Sequence, residues 1–128
     1  MLEPKIRDLA QGKNFAIITF HLPSGDAASH VMWVDADDDH VLMNTEVHRA
    51  KFKAIQADPR VTVAVLDRED PYHYGEVRGR VARTETGPEA RAMIDRLSQK
   101  YTGHDYDSPI RSERAILRIA PERQRLHG

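Results

Sequence analysis

The sequence predicts a mainly β fold, a small closed or partly open antiparallel barrel with helices flanking it. Three observations point that way. Short runs rich in aliphatic and β-branched residues recur at 14–21, 28–35, 40–44, 60–66, 72–84 and 114–120, each flanked by turn-forming residues. Helical spacing is confined to three stretches, only one of them long. No stretch has linker composition and no repeat divides the 128 residues, so one domain is expected: a helix over 1–12, a barrel with two helices over 13–120 and a C-terminal tail over 121–128.

In chain order, residues 2–11 read as a short helix, with Pro4 suited to a first turn, Ile6, Leu9 and Ala10 on one stripe and Gly12 at the end. The run NFAIITFH at 14–21 is a buried strand. Pro-Ser-Gly-Asp at 23–26 turns the chain into ASHVMWVD at 28–35, and the acidic run 35–39 connects it to 40–44, so the first three strands read as a meander. The acidic run lacks the central glycine of a calcium loop and is read as a turn.

The stretch 44–66 organises the rest. A strand is expected to end near Asn44, and Thr45, with Glu46 behind it, is a good N-cap for a short helix. Phe52 and Ile55 face the core from that helix, and Asp58-Pro59 stops it. Arg49, Lys51 and Lys53 are left near its start and flank, where free backbone N–H groups and cationic donors can converge on an anion.

A β-branched strand at 60–66 and a polar loop lead to YHYGEVRGRVART at 72–84. Alternation there puts His73, Gly75, Val77, Gly79 and Val81 on one face and Tyr74, Glu76, Arg78 and Arg80 on the other. Glycines inside a strand mark curvature, or the close approach of a ligand or another backbone. Gly87-Pro88-Glu89 opens the strongest helix, striped by Ala90, Met93, Ile94, Leu97 and Tyr101 and ended by Thr102-Gly103. A loop at 104–109 precedes the last strand, 114–120.

Composition removes several function classes. With no cysteine there is no disulfide, thiolate metal site or cysteine nucleophile. A net charge of −1 provides no global field for nucleic acid or an anionic membrane, and neither partner is expected. No apolar run approaches the roughly 20 residues a membrane helix needs, and the first residues lack the apolar stretch of a signal peptide, so a cytoplasmic location is expected. There is no nucleophile elbow, phosphate-binding glycine loop, paired-histidine zinc motif or dinucleotide fingerprint. Seven scattered histidines make no metal pair, and no metal is expected. His30 is singled out because it shares a strand with Trp33. Tyr72, Tyr74 and Arg78 could imitate a base-stacking strand, against which the near-neutral charge weighs. No general base or nucleophile stands out, so in an enzyme a cofactor carries the reaction.

The pattern N-T-x-x-x-R-x-K at Asn44, Thr45, Arg49 and Lys51, followed by D-P-R-V at 58–61, resembles the pyridoxamine 5'-phosphate oxidase-like split β-barrel family, and within it the deazaflavin (coenzyme F420) branch. The strands SHVMWVD and YGEVRGRV, the helix end KYTGHDY and the closing RIAPER support the resemblance. It implies an FMN-binding-like split barrel, homodimeric, with a flavin or deazaflavin in the groove between two chains. Arg49 and Lys51 would hold the cofactor phosphate, Asn44 and Thr45 the ribityl chain, and the backbone of Ser29 to Val34, with Ser29, Val31, Met32 and Trp33 as the named contacts, would face the ring, Trp33 walling the pocket and Tyr74 among the contacts. One departure is Ala54, where many relatives carry asparagine three residues beyond the lysine; it alters the fine contacts of that helix. The implied activity is hydride transfer from reduced F420 to a conjugated C=C bond of a small molecule. An FMN-dependent oxidoreductase of the same fold, or a non-catalytic flavin, deazaflavin or tetrapyrrole binder, are the alternatives. No catalytic residue is assigned, and the proton comes from solvent, Tyr74, Tyr106 or His30.

Overall fold

The computed structural model describes all 128 residues. In chain order it contains α1 (Pro4–Gln11), β1 (Phe15–His21), β2 (Ala27–Met32), β3 (Asp35–Ala36), β4 (Val41–Glu46), α2 (Ala50–Ala57), β5 (Arg60–Leu66), β6 (Tyr74–Glu85), α3 (Pro88–Thr102) and β7 (Arg114–His127). The strands form one curled antiparallel sheet in the order β2-β1-β5-β6-β7-β4-β3, the mainly β split barrel that was expected.

Period-two burial builds the barrel wall. Ala16, Ile18 and Phe20 of β1 and Val61, Val63 and Val65 of β5 all turn inward, joined by Val77 and Val81 of β6. The first helix closes one opening of this core with Ile6, Leu9 and Ala10. Its N-cap is Glu3, whose carboxylate accepts from the N–H groups of Lys5 and Ile6 at 3.0 and 3.1 Å. A second cluster joins Ala90, Met93, Ile94 and Leu97 of α3 to Ile116 of β7, with Trp33, Tyr101 and Tyr106 packed on it.

The long β6–β7 ribbon settles what the strand glycines do. A Cβ on Gly75 would sit 2.8 Å from the Ile6 side chain, and one on Gly79 only 1.9 Å from the Ala120 carbonyl oxygen. Helix and backbone, not a ligand, approach them.

Three expectations are corrected. Thr45 is no N-cap: β4 continues to Glu46, paired Asn44↔Ile116, Thr45↔Ala115 and Glu46↔Arg114, and α2 starts only at Ala50 behind Arg49. Strand pairing satisfies those backbone groups better than one capping hydroxyl could, so tertiary context overrides the local signal. The third strand does not extend a meander. The chain leaves β2 at Met32, crosses the barrel mouth through Trp33 and Val34, forms the short extra strand β3, and lays β4 against β7. There Val41 and Met43 are buried with Leu117 and Ile119. Finally, residues 121–127 are strand and not tail, because the length of β6 requires a partner as far as the Tyr74↔His127 pair. Gln124 of that segment points inward and accepts from Glu3 N–H at 2.7 Å.

Candidate functional site

A cavity of about 320 Å³ with a mixed apolar and cationic lining opens where β2 ends, β4 ends, α2 begins and α3 passes. Its apolar side is built from aromatic rings that lock one another. Trp33 stacks on Tyr101 with ring centroids 5.3 Å apart and planes 4° from parallel, and Tyr106 meets Trp33 edge-on at 6.3 Å. Phe15, Ile94 and Leu97 continue this wall. The Tyr101 hydroxyl donates to the Asn14 carbonyl and accepts from Val34 N–H at 3.3 Å. Beside it the Lys100 ammonium donates to the carbonyls of Ala10, Gln11 and Val34. The last turn of α3 is thereby tied to α1 and to the segment presenting Trp33, and burial holds the Lys100 pKa below its ordinary value.

The polar side comes from the end of β4 and the start of α2. Asn44 donates to the Ala90 carbonyl at 2.9 Å and accepts from Arg114 Nε at 2.7 Å. Glu46, 2% exposed, accepts from the N–H groups of Arg111 and Ser112 at 2.7 and 3.4 Å and lies 3.9 Å from Arg49 Nε. Burial opposes ionisation of Glu46, but those two N–H groups and nearby Arg114 outweigh it and hold its pKa below the usual carboxylate range. Lys51 has neither an ion pair nor a side-chain hydrogen bond. Burial first, then repulsion from Arg49 and Arg114, pull its pKa down to about 8. Three cations, Arg49, Lys51 and Arg114, thus line a cavity whose wall contains no carboxylate. Such a set has the charge and the donors to hold an anion.

A pH dependence follows. Lys51 is charged below about 8 and neutral above it, so affinity for an organic phosphate is expected to fall as pH rises through that value, the step moving higher once the bound anion favours the ammonium. Calorimetric titration from about pH 7 to about pH 9 checks this, and the step should vanish in Lys51→Ala. A flat profile in the unmodified protein would mean that Lys51 does not meet the anion.

Of the residues singled out in the sequence, Val31, Met32, Trp33, Asn44, Thr45, Arg49 and Lys51 line this one cavity. Ser29 and Tyr74 do not: the Ser29 hydroxyl bonds Thr19 at 2.8 Å, and Tyr74 stacks on His127 at 4.4 Å on the outer face of β6. Lys53 also lies outside the lining. His30 packs edge-on against Phe20 at 5.1 Å, and burial followed by the charges of Lys51 and Arg49 lowers its pKa. Sequence reasoning passed over Phe15, Ile94, Leu97 and Arg114 as site residues and held Tyr106 only as a proton source. Ile94 and Leu97 carried the signal of a helix core stripe, and nothing local marks Arg114.

The family model described as pyridoxamine 5'-phosphate oxidase matches residues 2–128. Comparison with curated proteins gives no match. Among solved structures, an F420 reductase superposes with a TM-score of 0.83 at 23% identity, covering 97% of this chain and 98% of its own. A conserved hypothetical protein from Mycobacterium tuberculosis gives 0.72 at 21% identity over 99% and 84% of the two chains. General Stress Protein 26 from Bacillus anthracis gives 0.68 at 17% over 97% and 92%. These likenesses show a shared fold.

Proposed function

Because the chain belongs to the pyridoxamine 5'-phosphate oxidase family, we propose that it is an oxidoreductase that binds a flavin or deazaflavin, and that its carrier is coenzyme F420. One observation carries this reading: an aromatic wall and three cations without a carboxylate share one cavity, which suits a planar ring bearing an anionic tail. The likeness to the solved F420 reductase supports the choice of deazaflavin. Arg49 and Lys51 would hold the phosphate. Arg49, the N-cap of α2, makes no side-chain capping bond, which leaves first-turn N–H groups for the same anion. Asn44 and Thr45 would meet the ribityl hydroxyls, Asn44 having one N–H and one lone pair uncommitted. When bound in its reduced form, the carrier supplies a hydride to a conjugated C=C bond, which takes up a proton as well. Trp33 orients the ring and the wall excludes water. Of the protein's candidate proton donors, Tyr106 borders the cavity.

A second copy of the chain would complete the groove. The cavity is at the small end of the roughly 300–1,000 Å³ that cofactor-sized ligands occupy. Its rim continues onto an uncovered sheet face, where Phe15 and Val31 are 50% and 69% exposed and Ile17 and Ala64 pair beside them. Sedimentation should give a two-chain mass, and Ile17→Asp should shift it toward one chain. A single-chain mass for the unmodified protein would sink the shared groove.

Titration with F420 and with FMN, following fluorescence of Trp33, the sole tryptophan, tests the whole reading. Binding of F420 with oxidation of its reduced form by an enone is the expected result. Tight FMN binding would move the assignment to a flavin oxidoreductase. Binding without turnover against enones, quinones and bilins would make the protein a carrier. Binding of neither cofactor would refute the reading.

A further inference from the structure

Arg114 is the cation that the fold buries most deeply. It opens β7, is 7% exposed and has no carboxylate within ion-pair distance. Its Nε is committed to Asn44 Oδ1 at 2.7 Å, and its guanidinium carbon lies 5.3 Å from the centroid of the Tyr106 ring. The nearest acid, Glu46, is spent on the N–H groups of Arg111 and Ser112 and on its contacts with Arg49 and His48. The Glu46 charge and the Tyr106 side chain offset part of the cost of taking this guanidinium out of water, but neither pairs with it directly as a salt bridge, and a counter-ion from outside the chain would offset the rest. Burial pushes the Arg114 pKa down, yet arginine stays charged across the physiological range.

Its position separates it from the other two cations. Arg49 and Lys51 come from the start of α2, whereas Arg114 touches Tyr106, which is edge-on to Trp33. It therefore borders the cavity beside the aromatic wall, where a planar ring would lie, and the pair on α2 suffices for a phosphate. A flavin or deazaflavin ring that takes up two electrons and one proton becomes one unit more negative. We propose that Arg114 is the counter-ion for that added charge, so that the site prefers the reduced ring over the oxidised one. The inference rests on the flavin or deazaflavin reading above and goes beyond it by assigning redox selectivity to one side chain.

The test measures affinities of F420 and of reduced F420, or of the FMN pair if FMN is the carrier, for the unmodified protein, Arg114→Gln and Arg114→Lys. In Arg114→Gln the preference for the reduced form should fall at least tenfold, equivalent to a shift of the bound couple of about 30 mV to more negative potential. Arg114→Lys should keep most of the preference. Equal losses for both redox forms, or no loss, overturn the inference while leaving the cofactor reading intact; failure of the unmodified protein to bind either carrier overturns both. If Arg114→Gln does not fold, the unmodified protein decides. The bound reduced ring, followed by its absorption spectrum, should stay anionic to a pH at least one unit lower than the free ring, and an unchanged titration overturns the proposal.

Discussion

Replacing Arg49 and Lys51 together by alanine is expected to weaken cofactor binding by about a hundredfold, with little loss of protein stability. Each charge-assisted hydrogen bond to a phosphate contributes about 1.5–3 kcal/mol, which for two bonds gives a range beginning near a hundredfold at about 1.4 kcal/mol per factor of ten. The Arg49 side chain is 53% exposed, so solvent screening reduces its share and the lower end of that range applies. Lys51 should carry more. It is the more buried of the two and has no partner in the chain, so Lys51→Ala alone is expected to cost more affinity than Arg49→Ala alone. Stability should be nearly unchanged, because the substitutions remove a single weak ion pair, the 3.9 Å approach of Arg49 to Glu46, and relieve the repulsion between Arg49, Lys51 and Arg114. Trp33 fluorescence titration and a thermal melt of the same samples separate the two effects. A double variant that binds its cofactor as the unmodified protein does would falsify the phosphate assignment.

The half of the site that can be read from sequence lies close together in the chain. Val31 and Met32 end one strand with Trp33 directly after them, and Asn44, Thr45, Arg49 and Lys51 lie within eight residues of one another, so the motif survives even though Thr45 lies in a strand and not at a helix cap. Arg114, Tyr106 and Phe15 reach the cavity from distant segments. Arg114 arrives because β4 pairs with β7, Glu46 opposite Arg114, and that pairing has no local signature. Tyr74 shows the converse. Its alternation was legible, and it places the ring on the outer face, but the expected contact needed a sheet neighbour that sequence does not supply.

The same division holds for the fold. β1, β5 and α3 were legible because apolar period and turn chemistry agree at their ends. The second half of β7, PERQRLH, has a proline and four charged or amide side chains among its first five residues, a composition that gives no apolar alternation to read. Its extended state is imposed by β6, whose backbone groups would otherwise lie unpaired along an edge.

That imposed pairing concentrates on one residue, and Gly79→Ala is expected to cost about 3 kcal/mol or more, enough to unfold much of a marginally stable population. The substituted Cβ would lie 1.9 Å from the Ala120 carbonyl oxygen and 3.3 Å from Pro121 Cα, both backbone atoms, so no side-chain rotation relieves the clash. Gly79 sits at a register shift of the β6–β7 ladder and faces Pro121, which has no N–H to give, and the two strands come together there without a regular hydrogen bond to hold their spacing. To admit one methyl group, β7 must move, and β7 carries Leu117 and Ile119 of the core as well as Arg114 of the cavity. Two controls calibrate the result. Gly75→Ala meets only the Ile6 side chain, which can shift, and should cost less. Gly25→Ala meets nothing within 4 Å and suffers only its positive φ, a penalty of about 1 kcal/mol. Urea unfolding of the three variants should rank them in that order; a Gly79→Ala protein that melts within about 2 °C of the parent would show that the two strands do not approach as described.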